Sequence, residues 1–483
     1  MQRASTAGIF FCLALLVPAY RDIEASKSLQ AVSVKELSAS SGNGGPRASP
    51  DAMPVLLLCF LVFDMLVLYL SNSTYKLMRE NFFKMVSHTI SIFCALLIEM
   101  SVTGLFLKGF LHLSCNESCP YYRSVYAILL GMLFPAWFLS ISLVTWWVRK
   151  SNDDVFALGG CVAHVAAFVA IDLSVRLDKL LMTMHSAAGN EDVDSFAIGI
   201  YLAGPFVAML ACKLLAKASY WLRKMLMQQE AADGEEAESH AHGPYWDHEA
   251  AHCELECAAI LAGFLCRQAL LVVVQDELPT HGGYIVKPVM APIMFLTIGG
   301  LLSAKSTLAA LPFNAEFSQL VTFVHLLLGM TTSWCFMSFI MFCIKQSVMV
   351  VDHQWLMLIF VVSAICIGAM FMMGYMAEWR MLQKNQLDEL IVVCGVATGL
   401  AWEKSFAWAT REVIIEDGMQ FNKNTIGAIS LGSPALANLT RQLKLLEVWS
   451  YLLILAVMMP AWRWYIVPLA HPHKEDHPQK VEH

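Results

Sequence analysis

The chain has 483 residues, 57% of them hydrophobic and 15% charged, with a formal charge of −7 and a mean hydropathy of +0.57. A soluble chain carries about a quarter charged residues, and several apolar runs here reach the roughly 20 residues a helix needs to cross hydrocarbon. The composition excludes an ordinary soluble globular protein, and the lack of any Lys/Arg-rich tract gives no sign of a nucleic-acid partner.

Met1 to Ala19 has a basic start at Arg3, an apolar core from Ile9 to Val17 and a small-residue exit at Val17-Pro18-Ala19. That pattern predicts a cleavable secretory signal over 1–19, with an uncleaved anchor as the alternative. Residues 20–52 are rich in Ser, Gly and Ala without an apolar period, which predicts a disordered extracytosolic lead-in. The rest predicts an all-α, polytopic membrane helix bundle of about 11 transmembrane helices, since open strands leave unpaired backbone groups in lipid.

Helices 1–5 are expected within 53–215, over Met53–Leu70, Met85–Leu107, Ser124–Val148, Val155–Val175 and Phe196–Leu215. An acidic, His-rich cytosolic loop is expected at 216–250. Helices 6–11 are expected within 251–469, over Leu255–Val274, Tyr284–Leu302, Phe317–Cys343, Trp355–Tyr375, Leu390–Thr410 and Val448–Leu469. A His-rich cytosolic tail is expected at 470–483.

Basic residues set the orientation. Lys76, Arg79 and Lys84, then Arg149 and Lys150, then Lys213, Lys217, Arg223 and Lys224, then Arg380 and Lys384 all fall on one side. The positive-inside rule makes that side cytosolic. The opposite loops hold the glycosylation acceptors Asn116 and Asn438, while the sequon at Asn72 falls on the cytosolic side. The N-terminus is then extracytosolic and the C-terminus cytosolic, in a membrane of the secretory pathway or the cell surface. Cys115 and Cys119 flank an outside loop and can form a bridge there. The other cysteines sit mostly within apolar runs, as small hydrophobes do.

A weak helix-pair repeat is visible. Trp146-Trp147-Val148-Arg149-Lys150 and Tyr220-Trp221-Leu222-Arg223-Lys224 each precede an acidic start and a cysteine-bearing span. Cys161, Cys257 and Cys394 align in that pattern. Such repeats suit transporters, although small residues recur in any packed membrane helix.

Charges inside hydrocarbon are the stronger signal. Asp64, Glu99, Arg267, His325 and Glu403 fall within spans, where a lone charge costs about 2.5–3.5 kcal/mol on insertion scales. Either they pair to tie helices together or they line a path for an ion or solute. Arg267 lies about 18 Å from the cytosolic edge of a core about 30 Å thick, and it keeps its proton. A carboxylate is therefore expected beside it, with Glu99 and Glu403 as candidates.

His248-Glu249-x-x-His252 is the zinc-hydrolase spacing, in which two imidazoles one turn apart hold the ion and the glutamate activates its water. No third ligand is evident in sequence. His240, His242, His248 and His252 can instead collect one zinc from a flexible cytosolic loop as a sensor, or serve as a solvated tract.

The reading is a multi-pass membrane transporter or channel, embedded in the lipid bilayer, for an ion or small solute. Asp64, Glu99, Arg267, His325 and Glu403 would line its path. The alternatives are a membrane-embedded zinc metalloprotease using His248, Glu249 and His252, and a receptor or scaffold without transport.

Overall fold

The structure is a computed structural model. It describes Met65 and residues 68–106, 120–187, 193–232, 236–275, 318–346, 354–378, 384–410 and 434–470. The expected signal, the lead-in, most of span one, span seven and the tail lie outside the described residues. So do Asp64, Cys115, Asn116 and Cys119.

Within the described residues every regular element is helical and no strand occurs. The helices are α1 (Lys76–Gly104), α2 (Pro120–Trp147), α3 (Asn152–Ala187), α4 (Val193–Ala232) and α5 (Glu236–Gln275). They continue as α6 (Ser318–Gln346), α7 (Gln354–Glu378), α8 (Lys384–Thr410) and α9 (Pro434–Ala461). A π-helical turn at Trp462–Ile466 and a short α10 (Val467–Ala470) extend α9.

Seven helices among the described residues are long and apolar enough to cross a membrane, and they match expected spans two to six, eight and eleven. In α7 and α8 the described apolar stretches are shorter, Val361–Met372 and Ile391–Trp402. The figure of about eleven spans is thus not established. The expected loop at 216–250 is helical over 216–232 and 236–250, because α4 and α5 each run 40 residues.

The surface fits hydrocarbon as a solvent. Phe206, Val207, Leu210 and Leu214 of α4 and Leu453 and Val457 of α9 are largely exposed, a patch that water would disfavour. Trp147, Trp464 and Tyr465 are exposed near helix ends, as interfacial aromatic anchors are. Pro135 and Pro205 lie inside α2 and α4, which membrane helices tolerate when neighbours satisfy the freed backbone groups. At the start of α3 the Ser151 hydroxyl accepts the Asp154 N–H at 3.3 Å, and Asp153 and Asp154 in that first turn favour the helix dipole.

Small residues bring the backbones together. A Cβ on Gly395 would stand 2.8 Å from His88 Cβ, and one on Gly399 would stand 3.0 Å from Ile92 Cβ and from the Thr89 carbonyl oxygen. The Thr89 hydroxyl donates to the Gly395 carbonyl at 3.2 Å. Gly263 is pressed against Met330 and Thr331 in the same way, with the Thr331 nitrogen 2.9 Å from its Cβ position.

These contacts fix relative helix directions. Residues 88 and 92 meet 395 and 399, so α1 and α8 are parallel. His88 meets Phe156 and Ser91 meets His164, so α1 and α3 are parallel. Gly159 meets Cys253 and His164 meets Glu256, which makes α5 parallel to α3. Gly263 meets Met330 and Arg267 meets Ser338, which makes α6 parallel to α5. Antiparallel to this set are α2 (Tyr126 near Arg176, Thr145 near Gly159), α4 (His185 near Phe196), α7 (Trp402 near Ser363, Cys366 near Thr398) and α9 (Gly104 near Val448, Ser87 near Trp462). Gln275 and Ser318 therefore lie at opposite ends of the bundle.

Candidate functional site

Polar side chains gather in two places on the α1–α3–α5 core, and the lower one is the better built. His164 of α3 is 2% exposed. Its Nδ1 lies 3.0 Å from the Ser91 hydroxyl of α1, and its Nε2 lies 3.2 Å from Glu256 Oε1 of α5. Ser91 and Glu256 are buried too, so three parallel helices each contribute one member of a continuous hydroxyl–imidazole–carboxylate chain. The Cys161 thiol, one turn before His164, donates to the Ser91 carbonyl and completes the α1–α3 contact.

A cavity of about 20 Å³ adjoins this chain, lined by Ser87, His88, Ser91, His164, Glu249 and Glu256 among others. That is room for one water with several polar partners. Trp462 of the π turn lines the cavity and donates its indole N–H to Ser87 at 3.0 Å. Arg463 holds the turn in place through a bidentate pair with Asp154, both contacts at 2.6 Å. A π turn in a long helix often marks a functional position.

Next to it stands a second buried network. Arg223 of α4 reaches Glu254 of α5 through Nη1 and Asp247 through Nε, the latter at 2.7 Å. The Ser219 hydroxyl donates to Glu254 at 2.6 Å, and Ser142 of α2 reaches the same oxygen at 3.3 Å. Arg223 and Glu254 side chains are each 5% exposed, and the network binds α2, α4 and α5.

The upper cluster surrounds Glu99. The Thr103 hydroxyl donates to Glu99 at 3.2 Å. The Tyr126 hydroxyl bonds to Asp172 and feels the charge of Glu99. Arg176 pairs with Asp172 at 3.3 Å and covers the Tyr126 ring at 4.2 Å. Between the two clusters the helices present Cys94, Ala95, Val165 and Phe168, all buried.

Of the residues expected to line a path, Glu99 thus belongs to the upper cluster. Arg267 is buried against α6, donating from Nε to Ser338 at 2.8 Å, with its guanidinium 5.9 Å from the Phe264 ring. His325 lines a separate cavity of about 60 Å³ between α6 and α8, with Ser333 and Val393. The side chains of Glu403, His240, His242 and Asn438 lie outside the described residues.

The His-Glu-x-x-His stretch sits on α5, where His248 is exposed while Glu249 and His252 are half-buried. Among the described residues no group of three His, Cys, Asp or Glu side chains is arranged to hold a metal ion.

Sequence reasoning about the path did not single out Ser91, His164, Glu256 or the Arg223–Glu254 network. His164 was the findable one, a histidine ten residues into a span. The chain matches no known protein family, no curated protein and no solved structure.

Proposed function

We propose that this chain is a multi-pass transporter that moves an ion or small solute across a bilayer, with its basic helix ends in the cytosol. The observation that supports the reading is the Ser91–His164–Glu256 chain on a water-sized cavity among three parallel helices. Ionisable groups in membrane cores are costly and mark ion or substrate pathways. The upper cluster at Glu99 gives the same helices a second polar station, and the apolar layer between the two stations suits alternating exposure to the two faces.

In this orientation Lys76, Arg149, Lys224 and Arg463 share the cytosolic end. The zinc-hydrolase alternative lacks a third ligand among the described residues, and the cavity is too small for a peptide bond.

Purified protein in liposomes adsorbed to a solid-supported membrane tests the reading. Concentration jumps of H⁺, Na⁺, K⁺, amino acids and sugars should give at least one charge displacement or flux that protein-free liposomes lack. Silence toward every probe refutes transport.

A further inference from the structure

We propose that the ion handled at this site is the proton, carried on the His164–Glu256 pair and exchanged through the cavity beneath Trp462. The inference rests on the transport reading above and deepens it.

Chemistry selects the proton over other cations. A sodium or potassium ion needs about five or six oxygens in place of its hydration shell. The cavity has room for one water, and the imidazoles of His88, His164 and His252 are near enough to act on the Glu256 carboxylate. Imidazole nitrogens are poor ligands for an alkali cation, whereas a proton needs only a base, a hydrogen-bonded route and a counter-charge. All three are present. His164 is the base, Glu256 the counter-charge, and Ser87, Ser91 and His88, with the water that the cavity can admit, the route.

The step balances simply. A hydronium at the cavity gives one proton to neutral His164, forming an imidazolium whose Nε2–H and Nδ1–H donate to Glu256 and Ser91, and water is left behind. Reversal returns the proton. Histidine is the side chain whose ordinary titration falls in the physiological range.

The groups facing the pair come from every element around it. They are Ser87, His88, Ser91 and Cys94 on α1, and Cys161 on α3 itself. They continue with Glu249, His252, Cys253 and Cys257 on α5, and Trp462 beyond α9. Arg223 is engaged with Glu254 and Asp247, and Arg463 with Asp154, so each cation next to the site has its own carboxylate.

The same geometry disfavours a serine hydrolase. Ser91 lies mid-helix, where its backbone N–H is committed to the helix ladder and cannot form an oxyanion hole.

The test is a pH jump on the same proteoliposomes. Wild type should give a transient current absent from protein-free liposomes. His164→Gln and Glu256→Gln, checked for monodispersity, should lose it, and Glu256→Asp should retain it. Ser91→Ala removes the hydroxyl that donates to Nδ1 of the neutral ring and accepts from it in the imidazolium, and with it part of the route, so it should slow the transient. No proton transient in a preparation that answers Na⁺, K⁺ or a solute, with no effect of pH on that response, overturns the proton and leaves transport standing. A proton transient undiminished in folded Gln variants, or one as fast as wild type in Ser91→Ala should those variants not fold, also overturns it. Silence toward all probes overturns both readings.

Discussion

The Arg223–Glu254 network allows a sharp test of how α2, α4 and α5 are held together. Arg223→Met removes the guanidinium that spans Glu254 and Asp247 and leaves Glu254 with only the Ser219 and Ser142 hydroxyls, at 2.6 and 3.3 Å. Both charges are 5% exposed, and stranding one member of such a pair costs about 3–5 kcal/mol. Glu254→Gln is milder, because the amide oxygen still accepts from Arg223 and Ser219, and Asp247 still answers the charge at 2.7 Å. One lost charge-assisted hydrogen bond suggests about 1.5–3 kcal/mol. The double variant has no stranded charge, so it should lie close to or above Arg223→Met in stability, with a coupling energy on the order of 2 kcal/mol. Equilibrium unfolding in mixed micelles, followed by tryptophan fluorescence, measures all three. Strict additivity of the two single effects would falsify the network as a coupled unit.

Three other outcomes are expected. Gly395→Leu should cost about 1–3 kcal/mol by overpacking, since even a Cβ stands 2.8 Å from His88 Cβ and 3.1 Å from the Met85 carbonyl oxygen, whereas Gly368→Ala meets nothing within 4 Å and should be neutral in the same unfolding assay. Trp462→Phe loses the hydrogen bond to Ser87 (3.0 Å) and should cost about 1 kcal/mol; an unchanged unfolding midpoint contradicts the buried Trp462–Ser87 contact. Asn116 and Asn438 should carry glycans and Asn72 none, so a glycosidase-sensitive mass shift that survives loss of the first two and disappears with Asn72 inverts the proposed orientation.

What was legible in the sequence follows from which forces act along the chain. Span positions rest on local hydropathy, and α1 to α6 and α9 fall where the apolar runs predict. The ends were less legible. Glu230 to Glu238 reads as a solvated acidic loop, yet α4 runs to Ala232 and α5 starts at Glu236. Helix continues into water at little cost when its membrane half is already anchored. Charge pairing is least legible, because a sequence gives depth but not rotation about the helix axis. Arg267 and Glu99 have similar expected depths, and which hydroxyl each meets, Ser338 for Arg267 and Thr103 for Glu99, is set by how their helices are turned. Likewise Glu256, which follows the apparent zinc motif by one helical turn, faces His164 because α3 and α5 are parallel neighbours. That fact depends on packing alone.

The helix directions also give the weak repeat a physical meaning. Cys161, Cys257 and Cys394 lie on α3, α5 and α8, which all run parallel to α1, and each of these helices follows an antiparallel partner (α2, α4 and α7) that packs on it. Three such pairs place the second helix of each inward, α3 and α8 against α1 and α5 against α3. The aromatic–basic ends of the first two pairs play similar parts, with Arg149 over Trp146 at 4.6 Å and Lys224 near Trp221 at 5.7 Å. The polar residues of the lower station come from the inner helices, as they must. An outer helix such as α4, with Phe206 and Leu210 turned to lipid, can keep a charge only where it reaches inward. Arg223 does so, and it is the α4 charge whose removal the unfolding cycle measures.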